Sequence, residues 1–337
     1  MNRATKYFVG PLVVFLLVTG TTGAIHERWA RSRAIAEFPP PGQMVEVDGH
    51  KLHLDCRGEG TPTVVLEAGM DPYGSIGWSR VHDALAAETR VCAYDRAGIA
   101  WSDPLPSPRD GRKIVEELHQ LVEAAGIDRP FILAGHSMGG AYALVYANRY
   151  PDDLAGLALI ESSHPDQFER LPAMGQIPPK IVMQVMPFLR SVGLMRWLMR
   201  SELRVKSLSD SDRLALQAVS ASSMSTVAQE FQHIRESLDM ARQVSTLGGM
   251  PLLVMSVGNA PDASRVPGFS QQQVDKAFAG WTELQMELSS LSADSRHIPV
   301  QQGTHYLQFS QPQAVIDAVS HFTTHCRSII TTRLRSN

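Results

Sequence analysis

The sequence of 337 residues contains few cysteines, no excess of basic residues and no internal repeat. Its three cysteines, Cys56, Cys92 and Cys326, are too few for a disulfide framework, and their spacing matches no metal-binding motif. At most one disulfide can form. Cys56 and Cys92 lie in predicted strands that could be neighbours, so they are the candidate pair, and two buried thiols are an equally good interpretation.

Charge of one sign is also scarce, because the formal net charge is only -3 and no run of like charge stands out. The chain therefore lacks the basic field that attracts nucleic acid. Hydrophobic residues make up 44% of the chain, enough to bury a large core in one elaborated domain or two small ones. We expect a small neutral or apolar substrate, with no nucleic-acid partner, no metal and no other cofactor.

The N-terminus carries Arg3 and Lys6, followed by a run without charge over residues 7–25. At about 1.5 Å per residue, such a run is long enough to cross a bilayer core of about 30 Å. The favoured interpretation is a retained membrane anchor, with the rest of the chain outside the cytoplasm. The alternative is a cleaved signal peptide ending at small residues such as Gly23 and Ala24, which would give a periplasmic or secreted protein.

Short apolar segments then alternate with helical patterns, which is typical of a mostly parallel sheet buried between helices. The sequence at 38–42, Phe-Pro-Pro-Pro-Gly, cannot be helical and marks the start of the domain. Asp48 and Gly49 predict the turn of a hairpin between the first two strands. The predicted strands are 44–47, 52–56, 63–66, 91–94, 131–134, 157–160, 252–255 and 298–301.

One interval between predicted strands, 162–249, is much longer than the others and predicts a helical cap over the sheet. The chain is thus divided into an N-terminal segment, 1–37, a core formed by 38–161 and 250–337, and the cap. Methionines at helical spacing in this interval belong either to a plain core or to an adaptable lining of a substrate cavity. They are Met183, Met186, Met195, Met199, Met224 and Met240.

The sequence Gly135-His136-Ser137-Met138-Gly139 fits the G-x-S-x-G pattern between a buried strand and a helix. A sharp turn at this point exposes its central residue at the N-terminus of the helix, where free amides favour developing negative charge. Glycines on both sides relieve the crowding of such a turn. We therefore interpret Ser137 as a nucleophile.

With this motif the chain resembles the α/β-hydrolase superfamily over nearly everything after Pro39. The resemblance implies an α/β-hydrolase fold, with a mostly parallel eight-stranded sheet flanked by helices and a helical cap inserted between strands 6 and 7. The PPPG stretch and the apolar N-terminus further resemble a bacterial subgroup of membrane-tethered members. The motifs are LEAGMD at 66–71, YDRAGIAWSD at 94–103, GHSMGG at 135–140, YPDDLAGLALIESSHP at 150–165 and GTHYLQFSQP at 303–312.

A serine hydroxyl needs a base, and histidine has a pKa suited to that task near neutrality. Among twelve histidines, His305 follows the last predicted strand and matches the histidine loop of the superfamily. The resemblance leaves two positions for the acid that orients this histidine. Asp262 follows the strand after the cap, although later than usual, and Glu161 ends the preceding strand; both stay open, with Asp166 a distant third.

Acyl transfer passes through an oxyanion that requires two N–H donors. The backbone amide of Met138 would supply one, and by position in the superfamily the amide of Met70 would supply the other. Members of the superfamily often have His-Gly in the loop before Met70, where this chain has Glu67, a carboxylate that needs a partner. Asp95 and Arg96 match a signature that is mainly structural and receive no catalytic role.

These residues predict a serine hydrolase that cleaves a small apolar carboxylic ester through an acyl-enzyme, as a carboxylesterase does. Epoxide hydrolases and haloalkane dehalogenases resemble this fold but use a carboxylate at the nucleophile turn, so Ser137 argues against both. A lactonase, an amidase, a carbon–carbon bond hydrolase and a cofactor-free perhydrolase share the same triad and stay open. A non-catalytic binding protein is the remaining alternative, disfavoured because the serine and the histidine are both present.

Overall fold

A single sheet of eight strands organises the protein. The computed structural model describes residues 3–105, 108–171, 208–266 and 268–336, and only a few positions between 172 and 207. The strands are β1 (Gln43–Val47), β2 (His50–Arg57), β3 (Val64–Glu67), β4 (Val91–Tyr94), β5 (Phe131–His136), β6 (Leu154–Ile160), β7 (Leu252–Val257) and β8 (Ser295–Val300).

Helices connect most of these strands. Before and within the first half of the sheet lie α1 (Arg3–Glu37), α2 (Ser79–Ala86), α3 (Gly111–Ala124) and α4 (Met138–Arg149). Between β6 and β7 lie α5 (Gln167–Arg170), α6 (Asp210–Gln232) and α7 (Ile234–Arg242). The chain continues with α8 (Gln271–Ser289), α9 (Leu307–Ser310) and α10 (Pro312–Ser336).

The strand order across the sheet is β1-β2-β4-β3-β5-β6-β7-β8. The β1–β2 hairpin and the β2–β4 pair are antiparallel, and all other neighbours are parallel. Within the parallel part, β3 lies between β4 on one side and β5 on the other. The later strands β6, β7 and β8 follow β5 in order toward the sheet edge. The carboxyl ends of β3, β5, β6 and β7 therefore meet at one edge, where ligands bind in open α/β sheets.

The core lies on both faces of the sheet because successive side chains of a strand point in opposite directions. In β3 and β5, Val65 and Leu133 pack on the face covered by α3, α4 and α7. Val64, Leu66 and Ile132 pack on the other face, which α2 and α10 cover. All of these side chains are fully buried, so the continuous apolar runs in the sequence correspond to strands enclosed on both sides.

Helix α1 packs against α6, and Arg31 Nη2 donates to the backbone oxygen of Ser102 at 3.3 Å. Among the residues whose side chains the structure describes, no helix is both long enough and apolar enough to cross a membrane. Much of the predicted anchor, 7–25, lies outside those residues.

A disulfide joins Cys56 of β2 to Cys92 of β4. The two residues are direct partners in the antiparallel β2–β4 pair, so the strand register places their sulfurs together. The link closes a separation of 36 residues, for which loop-closure entropy corresponds to a stabilisation of about 4 kcal/mol. Cys326 is a free, buried thiol.

The segment between β6 and β7 is only partly described. Its described residues include α6 and α7, and α7 packs on α3 and α4, while the boundaries of the predicted cap, 162–249, stay a prediction. Met183, Met186, Met195 and Met199 lie outside the described residues. Met240 packs partly buried against the main core.

Candidate active site

Ser137 stands alone between the end of β5 and the start of α4. Its backbone has φ 53° and ψ −125°, a conformation that side-chain-bearing residues rarely adopt. The turn is possible because the residues two positions before and after Ser137 are glycines: a Cβ on Gly135 would meet the Gly139 carbonyl carbon at 2.5 Å, and one on Gly139 would meet the Glu67 backbone oxygen at 2.5 Å. The strained backbone of Ser137 thereby holds its hydroxyl at the edge formed by the carboxyl ends of the strands.

The His305 ring completes a pair with this hydroxyl. His305 lies in the loop between β8 and α9, and its Nε2 is 3.0 Å from Ser137 Oγ. The ring faces an open cavity and is solvent-accessible, yet the protein atoms packed around it disfavour the charged form and lower its pKa to about 4. The imidazole is therefore neutral near pH 7, as a general base must be.

His136 has a role that the sequence did not reveal beyond its position beside Ser137. Its side chain is buried, and Nε2 donates to the backbone oxygen of His305 at 2.8 Å. Burial lowers the pKa of His136 to about 3, so the ring stays neutral. This hydrogen bond fixes the loop that carries His305 against the turn that carries Ser137.

Glu161, one of the two predicted acids, immediately follows β6. Its carboxylate is buried, accepting hydrogen bonds from the backbone N–H of Val257 at 2.8 Å and from Trp281 Nε1 at 2.9 Å. Burial raises the pKa of Glu161 to about 7, although both hydrogen bonds favour the ionised form. The backbone at Glu161 has φ 47°, so it is strained like that of Ser137. The two positions are close, because the Ser137 N–H donates to the backbone oxygen of Ile160, the residue before Glu161, at 3.2 Å.

Asp262, the other predicted acid, is exposed and has an ordinary extended backbone. Its carboxylate accepts the N–H of Ser264 at 2.8 Å and caps a short 3₁₀ turn. Both Asp262 and Glu161 line the same cavity as His305. Within the described residues, no hydrogen bond or ion pair joins the His305 ring to a carboxylate, and Asp166 instead pairs with Arg242 at 2.7 Å.

The two predicted oxyanion donors lie on the cavity wall beside Ser137. Met138 is the first residue of α4, where a backbone N–H has no acceptor within its own helix. Met70 lies in the loop after β3, and a Cβ on the preceding Gly69 would come within 3.3 Å of the Ser137 Cβ. Both methionines line the cavity, and the role of their amides as oxyanion donors stays a prediction.

The partners of Glu67, which the sequence left unnamed, are Arg96 and Tyr94. Arg96 Nη1 donates to Glu67 Oε1 at 2.6 Å, and the Tyr94 hydroxyl donates to Oε2. All three side chains are buried, and Arg96 also binds Glu230 of α6. The Glu67 carboxylate is therefore paired, as part of a buried network of hydrogen bonds and ion pairs next to the loop after β3.

Asp71 is a cavity residue that the sequence reasoning missed. Its carboxylate accepts the N–H of Tyr73 at 2.9 Å and lies beside the hydroxyl of Tyr306, the residue after the base. The surrounding protein raises the pKa of Asp71 to about 6. Its place in the LEAGMD motif, one residue after the predicted donor Met70, was the available signal.

The cavity above these groups has a volume of about 1160 Å³ and a mainly apolar lining. Aromatic rings rather than methionines of the β6–β7 segment dominate the described part of the wall: Met224 and Met240 are not among the lining residues. No lysine or arginine occurs among the described residues that line it, and no group of three His, Cys, Asp or Glu in the described chain is arranged to hold a metal. The rings are Phe168, Phe231, Phe269, Phe278, Trp281 and Tyr306.

The chain is similar in sequence to a known protein family and to several known proteins. The family model described as the alpha/beta hydrolase fold matches residues 62–185. The uncharacterised protein YbdG of Bacillus subtilis is 23% identical over 167 residues, which cover 49% of this chain and 51% of that protein. The chain spans about half or less of the length of most curated relatives that it matches.

Solved structures match over a larger share of the chain. A thermophilic esterase from Thermogutta terrifontis has a TM-score of 0.61 at 21% identity, covering 84% of this chain and 97% of the esterase. The epoxide hydrolase CorEH has a TM-score of 0.60 at 20% identity, covering 83% and 97%. At these identities the likeness concerns the fold, and function depends on the site itself. Taken with the strand order and the strained turn at Ser137, these matches show that the chain has the α/β-hydrolase fold, with the family model matching residues 62–185.

Proposed function

We propose that this protein is a serine hydrolase that cleaves carboxylic esters through an acyl-enzyme. The observation that carries the proposal is the pair formed by Ser137 Oγ and His305 Nε2, 3.0 Å apart at the floor of an open cavity. Neutral His305 would take the proton of Ser137 as the hydroxyl attacks the ester carbonyl, and would then return it to the departing alcohol. Water activated by the same imidazole would release the acid.

The identity of the nucleophile supports this choice among the functions found on the fold. Epoxide hydrolases occur among the structural neighbours, and such enzymes resemble this chain but use a carboxylate at the nucleophile turn. Here that position is Ser137. A serine with a neutral histidine suits acyl transfer, whereas opening an epoxide or displacing a halide by this route would require the carboxylate.

We propose Glu161 rather than Asp262 as the acid behind His305. Glu161 is buried on the cavity wall, in a strained conformation next to the nucleophile turn, whereas Asp262 is exposed and caps a local turn. Each carboxylate oxygen of Glu161 accepts one hydrogen bond and keeps room for another. Hydrogen bonds of catalytic groups often form or tighten only when substrate is bound, so the lack of a hydrogen bond between Glu161 and His305 in the described residues is compatible with this role.

The cavity supports an apolar, medium-sized acyl or alcohol group as the substrate side chain. Its described wall is rich in aromatic rings and carries carboxyl groups but no lysine or arginine. Neutral esters fit such a wall, and acyl chains ending in a carboxylate would be repelled by the carboxyl group of Asp71.

The test combines turnover with covalent labelling of the full-length protein. We expect hydrolysis of p-nitrophenyl acetate, butyrate and octanoate, with kcat/KM higher for the longer neutral chains than for a succinate monoester of similar length. A fluorophosphonate should add one equivalent, located by mass spectrometry on the peptide that contains Ser137. A folded protein that hydrolyses no ester and forms no adduct would contradict the proposal and favour a binding function.

We also propose that the protein acts outside the cytoplasm. The Cys56–Cys92 disulfide supports this location because such bonds persist in oxidising compartments, and it agrees with the export expected from the basic and apolar N-terminus. Protein alkylated in cell extracts without reductant should be modified at Cys326 only, and only after unfolding, because that thiol is buried. Modification of Cys56 and Cys92 under the same conditions would contradict an oxidising location.

A further inference from the structure

Arg96 contacts the loop that carries the predicted second oxyanion donor. Its side chain is only 3% exposed. Nη1 donates to the backbone oxygen of Ala68 at 2.7 Å, and Nη2 donates to the backbone oxygen of Gly69 at 2.8 Å. The guanidinium thus holds the two carbonyl groups that precede Met70.

The contact with Gly69 bears directly on the donor, because the Gly69 carbonyl and the Met70 N–H belong to the same planar peptide group. Fixing the carbonyl on a rigid guanidinium also fixes the direction of the N–H, which lies in the same plane and points the opposite way. The positive charge also polarises the peptide, which makes its N–H a stronger donor. Arg96 therefore controls both the aim and the strength of the Met70 amide without contacting substrate.

The rest of the guanidinium is held by two carboxylates. Nε and Nη2 each donate to Glu230 at 2.9 Å, and Nη1 donates to Glu67 at 2.6 Å. With the two backbone oxygens, these contacts use all five N–H donors that an arginine has. The guanidinium also lies 5.4 Å from the ring centroid of Tyr142, on the helix that follows Ser137. A lysine could not reproduce this fork.

Glu230 connects this network to another part of the chain. It lies on α6, between β6 and β7, and is completely buried. The same helix contacts the loop after β4 a second time, because Ser223 Oγ accepts the N–H of Ala100 at 2.8 Å. The position of α6 is thereby tied, through Glu230 and Arg96, to the loop after β3.

We propose that Arg96 is a positioning residue for oxyanion binding and that Glu230 couples helix α6 to it. The inference rests on the proposed function, since it assigns a role in stabilising the tetrahedral intermediate. A buried ion network that served stability alone could be replaced by apolar packing. This network also binds the backbone oxygens of Ala68 and Gly69, and the second of these belongs to the peptide group that contains the Met70 N–H.

The experiment uses the full-length protein and the variants Arg96→Lys and Glu230→Gln. Arg109→Lys is the matched control, because Arg109 is also fully buried and bound to one carboxylate, Glu117, at 2.6 Å, away from the loop after β3. Three quantities are measured with p-nitrophenyl butyrate and a butylboronic acid, which forms a tetrahedral anion on a reactive serine: kcat, KM and the boronic acid Kd. Thermal unfolding checks each fold.

We expect Arg96→Lys to lower kcat about 10- to 100-fold and to weaken boronic acid binding by a similar factor, with KM changed less than about three-fold. Glu230→Gln should shift both quantities in the same direction by about three- to ten-fold, and it carries the test if Arg96→Lys does not fold. A structural role alone would lower the unfolding temperature of all three variants without separating kcat from KM.

Unchanged kcat and boronic acid binding in a folded Arg96→Lys or Glu230→Gln variant of an active protein would overturn this inference alone. An equal loss in Arg109→Lys would overturn it as well. A wild-type protein that neither hydrolyses esters nor binds the boronic acid would overturn the proposed function, and the inference with it.

Discussion

Replacing Ser137 by alanine is expected to lower kcat for ester hydrolysis about 100,000-fold. Ser137 Oγ lies 3.0 Å from His305 Nε2, and under the proposed mechanism no acyl-enzyme forms without this hydroxyl. The remaining rate would come from water attacking a substrate still held by the cavity and the oxyanion donors. Turnover of p-nitrophenyl butyrate and fluorophosphonate labelling measure the loss.

The matched control for this variant is Ser163→Ala. Ser163 also lines the cavity, and its N–H donates to the Ser137 carbonyl oxygen at 2.9 Å, so only the hydroxyl of a neighbouring serine is removed. We expect this control to keep kcat within about ten-fold and to keep the label. Because nucleophile and base act as one unit, adding His305→Ala to Ser137→Ala should lower kcat no further. Equal labelling of Ser137→Ala and wild type would show that another residue is the nucleophile.

Much of the fold could be predicted because its determinants are local in sequence. The apolar runs at 91–94 and 131–134 correspond to strands of zero or nearly zero exposure, since strands enclosed on both faces need no polar alternation. Asp48 and Gly49, both with positive φ, form the predicted hairpin turn. The motif around Ser137 specified a strand, a strained turn and a helix within a few residues, so the location of the serine needed no tertiary information.

The parts of the site that escaped prediction depend on contacts between distant residues. Arg96 and Glu230 are separated by 134 positions and meet only because α6 packs over the loop after β4. Neither the partner of Glu67 nor a function for Arg96 could therefore follow from local pattern. His136 likewise stabilises His305 across 169 positions. Asp71 was visible in the LEAGMD motif, but its raised pKa results from burial, which the sequence alone does not specify.

The sequence could not decide which carboxylate stands behind His305, whereas the structure distinguishes the two candidates. Sequence spacing left Glu161 and Asp262 open, because both precede His305 in an order that the superfamily accepts. Geometry separates them by environment: one is buried with two donors, and the other is exposed at a local cap. Glu161 also lies on the cavity wall in a strained backbone conformation, which is typical of functional positions and favours it as the acid.

Glu161→Gln is accordingly expected to lower kcat about 1,000- to 10,000-fold, whereas Asp262→Asn should keep kcat within about three-fold. Glutamine has nearly the shape of glutamate but cannot stabilise the imidazolium that forms on His305 during proton transfer. Its amide nitrogen would also face a donor, either the Val257 N–H or Trp281 Nε1, so we expect some loss of stability. Thermal unfolding measures that loss, and Glu161→Asp, which keeps the charge, should recover part of the activity.

The pH profile separates a catalytic carboxylate from a structural one. Burial raises the pKa of Glu161 to about 7, so below pH 7 the group is increasingly protonated and kcat/KM should fall about ten-fold per pH unit. Protonation of His305, whose pKa the surrounding protein lowers to about 4, adds a second loss only in stronger acid. In Glu161→Gln the inflection near pH 7 should disappear while that of His305 persists. An unchanged inflection near pH 7 in that variant, or a large loss of kcat in Asp262→Asn, would identify another carboxylate behind the base.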